Sequence, residues 1–275
     1  MKAVAVVTGG NKGIGYAIAK GLCEKFSGNV YLTARNEALG LNAVAKLKEL
    51  GLNPLFHQLD VNDQASIDKF RDYIKNAEGG IDILVNNAAI AFPQVTSVPF
   101  SKQAEETIAV NYFGTLRVCE TLFPILRQSA KVVNVSSSAG HLFRIPSPDI
   151  RAKLSEASLT IEKLSEYMRE FVEAAKMNVN SEKGWGNSAY VVSKVGVSAL
   201  TNVQQRLFDE ENEHRNIMVN SVHPGYVDTD MTNHKGVLTI EEGAKAPLYL
   251  ALEDHGLRGK FVWNDSKVVD WFQPI

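Results

Sequence analysis

The chain has little imbalance of charge, few cysteines and no long apolar run. Its 29 Lys and Arg stand against 31 Asp and Glu, a net charge of −2. That balance supplies no cationic field for nucleic acid or an anionic bilayer, so neither partner is expected. The two cysteines, Cys23 and Cys119, cannot build a disulfide framework and form no CxxC pair, which fits a reducing compartment. No window approaches the roughly 18 apolar residues of a membrane span. The first apolar run, Ala3–Val7, is shorter than the roughly 7–15 residues of a signal-peptide core. These absences lead us to expect a soluble, cytoplasmic protein. The six histidines, at 57, 141, 214, 223, 234 and 255, show no close metal-ligand spacing, so no metal site is expected. No G-x-S-x-G turn occurs, which disfavours α/β-hydrolase chemistry.

What is present is an alternation. Short apolar runs at Ala3–Val7, Asn29–Leu32, Leu55–Leu59, Ile81–Val85, Lys131–Val135, Met218–Val222 and Gly259–Trp263 read as strands. Between them, Gly13–Phe26, Glu37–Leu50, Ser66–Lys75, Gln103–Leu126, Ala189–Asp209 and Glu241–Leu252 have helical spacing. Continuous apolar strands separated by helices imply a parallel sheet covered on both faces. The expectation is an α/β fold, a doubly wound parallel sheet of seven strands, in one domain spanning residues 1–275. A TIM barrel is the alternative at this length, and the glycine-rich first turn weighs against it. Residues 147–183 break the alternation. There Ile161, Leu164, Met168, Phe171, Val172 and Ala175 make one apolar stripe, an amphipathic helix added to the body. It is either a plain surface helix, a wall of the active site, or a cover over a surface that would otherwise dimerise.

Thr8-Gly9-Gly10-Asn11-Lys12-Gly13-Ile14-Gly15 follows the first strand and opens the first helix. Glycines there let the backbone approach a pyrophosphate, and the helix N-terminus presents free N–H groups to it. The second strand ends in Thr33-Ala34-Arg35. A carboxylate at that point would accept bonds from the ribose 2′-OH of NAD. None is present; Arg35 and Lys12 instead offer two cations to a 2′-phosphate, so the expected cofactor is NADPH/NADP+. Asp60-Val61 ends the third strand, where the carboxylate can meet the adenine amino group, and Asn86-Asn87-Ala88-Ala89 ends the fourth beside the cofactor.

Tyr190 and Lys194 are spaced i and i+4, so both project from one face of a helix. Ser137 follows the fifth strand, at the edge where open α/β sheets bind ligands. The glycine turn, Asn86-Asn87-Ala88, Asn111 within Asn111-Tyr112-Phe113-Gly114, Asn134-Val135-Ser136-Ser137, the Tyr190/Lys194 pair and Pro224-Gly225 occur in the order of one family. With these motifs the chain resembles the short-chain dehydrogenase/reductase family over nearly its whole length. Within it the chain is most similar to the NADPH-dependent carbonyl reductase branch, through Gly10-Asn11-Lys12-Gly13-Ile14-Gly15, Leu32-Thr33-Ala34-Arg35 and Phe56-His57-Gln58-Leu59-Asp60. Tyr190 follows Ser137 by 53 positions, which agrees with that branch, whose insertion is associated with monomers.

The resemblance implies roles for these residues. Tyr190 donates the proton to the carbonyl oxygen and Ser137 polarises it. Lys194 favours tyrosinate, Asn111 holds a water that links Lys194 to solvent, and both Tyr190 and Lys194 meet the cofactor. Gly9, Asn11, Lys12, Gly13, Ile14, Gly15, Arg35, Asp60, Val61, Asn87, Ala88, Pro224, Gly225, Val227 and Thr229 complete the cofactor groove. Pro224 to Thr229 would wrap the nicotinamide carboxamide and phosphates, and the stretch that follows, to Lys235, is expected as a mobile substrate lid. Tyr226 and Met231 are candidate substrate walls, with Phe143 and Ile90 behind them; core or lid packing is an equal alternative for each. The implied reaction is NADPH-dependent reduction of aldehydes, ketones or quinones. A reductase dedicated to one steroid, pteridine or terpenoid ketone is the alternative, and a non-catalytic NADPH-sensing protein a more remote one. His223 is more simply a locally bonded histidine than a catalytic one.

Overall fold

The computed structural model describes residues 2–93, 95–211 and 214–274. Its elements follow the expected alternation: β1 (Ala3–Val7), α1 (Gly13–Lys25), β2 (Gly28–Ala34), α2 (Glu37–Glu49), β3 (Leu55–Gln58), α3 (Gln64–Ala77) and β4 (Ile81–Asn86). Then come α4 (Phe100–Ile108), a π-helical turn (Ala109–Gly114), α5 (Thr115–Leu122), β5 (Leu126–Val135), α6 (Pro148–Leu154), α7 (Ile161–Lys176) and α8 (Ala189–Glu210). The chain finishes with β6 (Met218–Val222), α9 (Ile240–Leu252), β7 (Phe261–Val262) and β8 (Val268–Val269).

The strands form one sheet in the order β3-β2-β1-β4-β5-β6-β7-β8. All neighbours pair in parallel except β7 and β8. The seven expected strands are therefore present, and a two-residue antiparallel edge strand is added among the described residues. Strand order reverses between β1 and β4, which opens a crevice at their carboxyl ends. The sheet is apolar on both faces, because β1, β4 and β5 are buried by helices on each side. The two faces of β1 separate cleanly: Ala5 and Val7 pack with α1 and α9, whereas Val4 and Val6 pack with α3 and α5.

Two differences from the sequence reading matter for the site. The stretch 103–126, read as one helix, is broken by the π-helical turn that contains Asn111. A π-helical turn inserts an extra residue and re-aims the side chains that follow it. The insertion is two helices, each started by an N-cap side chain: Ser147 accepts from the Ile150 amide at 3.3 Å and Thr160 from the Lys163 amide at 3.2 Å. α7 packs on α4 and α8, burying Leu164, Met168 and Phe171. The Thr239/Glu242 capping box read from the sequence forms at the start of α9.

Candidate active site

The glycine turn is tightly specified. Gly9 and Gly13 take φ of +63° and +56°, where a side chain is strained. A Cβ on Gly15 would collide with Asn87 Nδ2 and the Gly9 carbonyl oxygen. Asn87 braces the turn by donating from Nδ2 to the carbonyls of Thr8 (3.0 Å) and Gly9 (3.1 Å). The Asn87 and Ala88 amides both donate to Thr8 Oγ1 at 3.0 Å. Residue Lys12 is the N-cap of α1 but makes no side-chain cap bond, and the first turn carries no acidic residue. Those free N–H groups, under a surface only glycine permits, fit the pyrophosphate of a dinucleotide.

The charges around the turn are only partly as expected. Arg35 is exposed and has no ion pair among the described residues; its carbonyl accepts from Gln58 Nε2 at 3.1 Å. Lys12, by contrast, reaches Asp230 Oδ2 at 2.6 Å. His234 bonds Asp228 at 2.7 Å and lies 3.3 Å from Asp230. The segment after β6 is thereby fastened over the glycine turn, with Thr229 Cγ2 3.4 Å from where a Gly13 Cβ would lie. Both ends of the Lys12–Asp230 pair are more than 60% exposed, so it is weak and a phosphate can displace it. Val227 is buried and pairs with Leu238, while Pro224 is buried and Gly225 takes φ of +94°. Asp60 accepts the Asn62 amide at 2.9 Å, and the Val61 carbonyl accepts from Arg117 at 2.8 Å.

Ser137, Tyr190 and Lys194 meet at the carboxyl edge of β5. Ser137 caps a short turn over Ser138–Gly140, its Oγ accepting from the Ala139 amide at 3.1 Å. Tyr190 lies in the first turn of α8, which Ser188 caps at the Val191 amide. Its hydroxyl is near enough to the Ser137 side chain to be influenced by it. Burial pushes the phenol up, and the Ser137 contact pulls it part of the way back. Lys194, one turn on, is 3% exposed; its Nζ donates to the Val135 carbonyl at 2.8 Å and stands 5.8 Å from the Tyr190 ring centroid. Burial lowers its ammonium to about 8. Asn111 is occupied: Oδ1 accepts from the Ile90 amide at 2.8 Å, and Nδ2 donates to the Ile90 carbonyl at 2.9 Å and Ser193 Oγ at 3.0 Å. It fastens the loop after β4 to α8.

The candidate walls are open to solvent: Phe143 is 38% exposed, Tyr226 49% and Met231 42%. His223 is buried against Trp263, its Nδ1 accepts from the Gly225 amide at 3.3 Å, and burial holds it down at about 4. Cys119 is buried and Cys23 half-buried, and neither is in a disulfide. No group of His, Cys, Asp and Glu among the described residues could hold a metal ion. The sequence reading missed the Asp230 partner of Lys12, because nothing local marks a contact between residues 218 positions apart. It also missed the π-helical turn that aims Asn111.

Known proteins share this architecture. The family model described as short chain dehydrogenase matches residues 3–147 and 158–237, and the break between the two segments falls on α6 and the turn after it. The carbonyl reductase 1 of Rattus norvegicus, named for NADPH, is 46% identical over 272 residues, 98% of each chain. Carbonyl reductase 3 of Mus musculus, also named for NADPH, is 46% identical over 260 residues, 92% of this chain and 94% of its own. Among solved structures, salutaridine reductase from Papaver somniferum matches with a TM-score of 0.85 at 34% identity, covering 94% of this chain and 99% of its own. Menthone neomenthol reductase from Mentha piperita matches with a TM-score of 0.81 at 32% identity, covering 96% of this chain and 99% of its own.

Proposed function

Because the chain belongs to the short-chain dehydrogenase family, we propose that it is an NADPH-dependent carbonyl reductase, turning aldehydes, ketones or quinones into alcohols. The observation that carries the reading is the meeting of Ser137, Tyr190 and buried Lys194 on the crevice edge that also bears the glycine turn. Gly9, Asn11, Lys12, Gly13, Ile14 and Gly15 would hold the pyrophosphate, and Arg35 with Lys12 the 2′-phosphate once Asp230 gives way. Asp60 and Val61 would flank the adenine, and Asn87, Ala88, Pro224, Gly225, Val227 and Thr229 the nicotinamide half. When bound, NADPH supplies the hydride that adds to the carbonyl carbon.

Every other step belongs to the protein. Ser137 donates a hydrogen bond to the substrate oxygen and fixes the carbonyl in the crevice. Tyr190, like any phenol, carries its proton at neutral pH, and burial reinforces this, so it gives that proton to the oxygen as that atom gains charge. Lys194, charged below about pH 8, eases the loss of that proton. Asn111 acts here as a brace between the Ile90 loop and α8, holding the floor on which Tyr190 and Lys194 stand.

Two finer points belong to the same reading. The chain acts as a monomer, since α7 packs on α4 and α8, and the unpaired cysteines suit the cytoplasm. No described helix is long and apolar enough to cross a membrane. A reductase dedicated to one bulky ketone is a second reading, favoured by the likeness to salutaridine reductase and menthone neomenthol reductase. The test is NADPH oxidation against a quinone, an aliphatic aldehyde and a steroid ketone. Tyr190→Phe is expected to lose at least about 100-fold in turnover while binding NADPH as before. Wild-type protein inert towards the whole panel, or a Tyr190→Phe variant that keeps its rate, would overturn the reading. Activity confined to one bulky ketone would favour the second form.

A further inference from the structure

The turn that follows Ser137 is held by the far end of the chain. Beyond β8, Asp270 and Trp271 reach Gly140 and His141 of that turn. The Trp271 indole, 3% exposed, donates from Nε1 to the Gly140 carbonyl at 2.7 Å. The Gly140 amide in turn donates to the Ser137 carbonyl at 2.8 Å. A single glycine therefore separates the indole from the catalytic serine. His141, fully buried, adds a second tie: Nε2 donates to the Asp270 carbonyl at 3.1 Å, while Nδ1 accepts from the Phe143 amide at 3.4 Å. On its other side the turn is pressed against α8. A Cβ on Gly140 would run into Ser136 Oγ, the Lys194 carbonyl and Ser198 Oγ. The turn is thus clamped between the C-terminal segment and the helix that carries Tyr190 and Lys194.

We propose that Trp271 and His141 are positioning residues for carbonyl reduction: the C-terminal segment clamps the Ser137 turn onto α8 so that the serine and Tyr190 hydroxyls address the same carbonyl oxygen. The proposal rests on the function inferred above, and it makes the C-terminal segment part of the active site. A hydrogen-bond donor on Trp271, not merely an apolar ring, is what the clamp requires.

Trp271→Phe keeps a ring and removes the donor. The expected result is a kcat lower by about 5- to 10-fold, the worth of one well-placed hydrogen bond. The KM for the carbonyl compound and the Kd for NADPH should change by less than about twofold. The deuterium isotope effect with NADPH deuterated at the transferred position should rise, because a slackened Ser137 slows the chemical step. In a Ser137→Ala background Trp271→Phe should lower kcat no further, since nothing is left for it to position. His141→Asn keeps an acceptor for the Phe143 amide and removes the nitrogen that reaches Asp270. It should give the same pattern, and it serves as the probe if Trp271→Phe lowers the melting temperature. Full kcat in both variants, or an equal loss in the Ser137→Ala background, would show that these residues only pack and would overturn the proposal. An active wild type with unaffected variants overturns this assignment alone, whereas an inert wild type overturns the proposed function and takes the assignment with it.

Discussion

Lys194 is a buried ammonium whose shift is set by burial, with no carboxylate among the described residues offsetting it. Its fall from 10.5 to about 8 means that the folded state disfavours its charge by about 3 kcal/mol at neutral pH. Between pH 8 and 10.5 the unfolded chain holds a proton there that the folded chain has released, so this group makes stability rise with pH across that window. Lys194→Met should therefore stabilise the protein at pH 7, with a gain that fades towards pH 10, while turnover is lost. Denaturant unfolding at the two pH values checks it, and equal stabilisation at both would refute the burial argument. Arg35 poses the opposite case, an exposed cation with no ion pair among the described residues. Arg35→Asp should weaken NADPH by about 10-fold or more and shift preference towards NADH, read from the two KM values. Both residues were legible in the sequence, Lys194 from its i, i+4 spacing to Tyr190 and Arg35 from its place at the end of β2.

At the level of the element, α1 shows how a local sequence builds a binding surface. The turn before it needs glycine for two separate reasons, positive φ at Gly9 and Gly13 and lack of room at Gly15. Gly15→Ala would force Asn87 and the Gly9 carbonyl apart, and one of those atoms is backbone. We expect NADPH affinity to fall by more than about 10-fold, with a lower melting temperature, since displaced backbone cannot relax cheaply. Unchanged NADPH titration would remove the turn from its role. The π-helical turn at Asn111 is the contrasting element. Its extra residue leaves no mark in apolar spacing, so the sequence read a continuous helix where the structure re-aims an asparagine.

For the whole molecule, two buried histidines set an acid limit. Burial, with a smaller push from Arg144, takes His223 down to about 4, and burial also lowers His141. His223 stays neutral in the folded chain down to about pH 4 while the unfolded chain takes up a proton near 6.5, and His141 is shifted in the same direction. The His223 contribution is present above pH 6.5 and is lost as pH falls from there towards 4, and that of His141 has the same sign. His223→Gln should flatten that loss, as followed by melting temperature between pH 7.5 and 5; an identical acid slope would point to other groups.

Strand alternation, the glycine turn, the Tyr190–Lys194 spacing and the apolar stripe of α7 were all written in short windows, because hydrophobic period and turn chemistry act between near neighbours. They sufficed for the fold class and the cofactor, and they named the residues that meet at the crevice edge. The pairing of Lys12 with Asp230, the brace of Asn111 on Ile90, and the seat of Trp271 against Gly140 join residues 218, 21 and 131 positions apart. Such contacts exist only after the sheet has assembled and brought distant loops to one edge. The energy of ordering them is met by burial elsewhere in the core, so no local preference announces them.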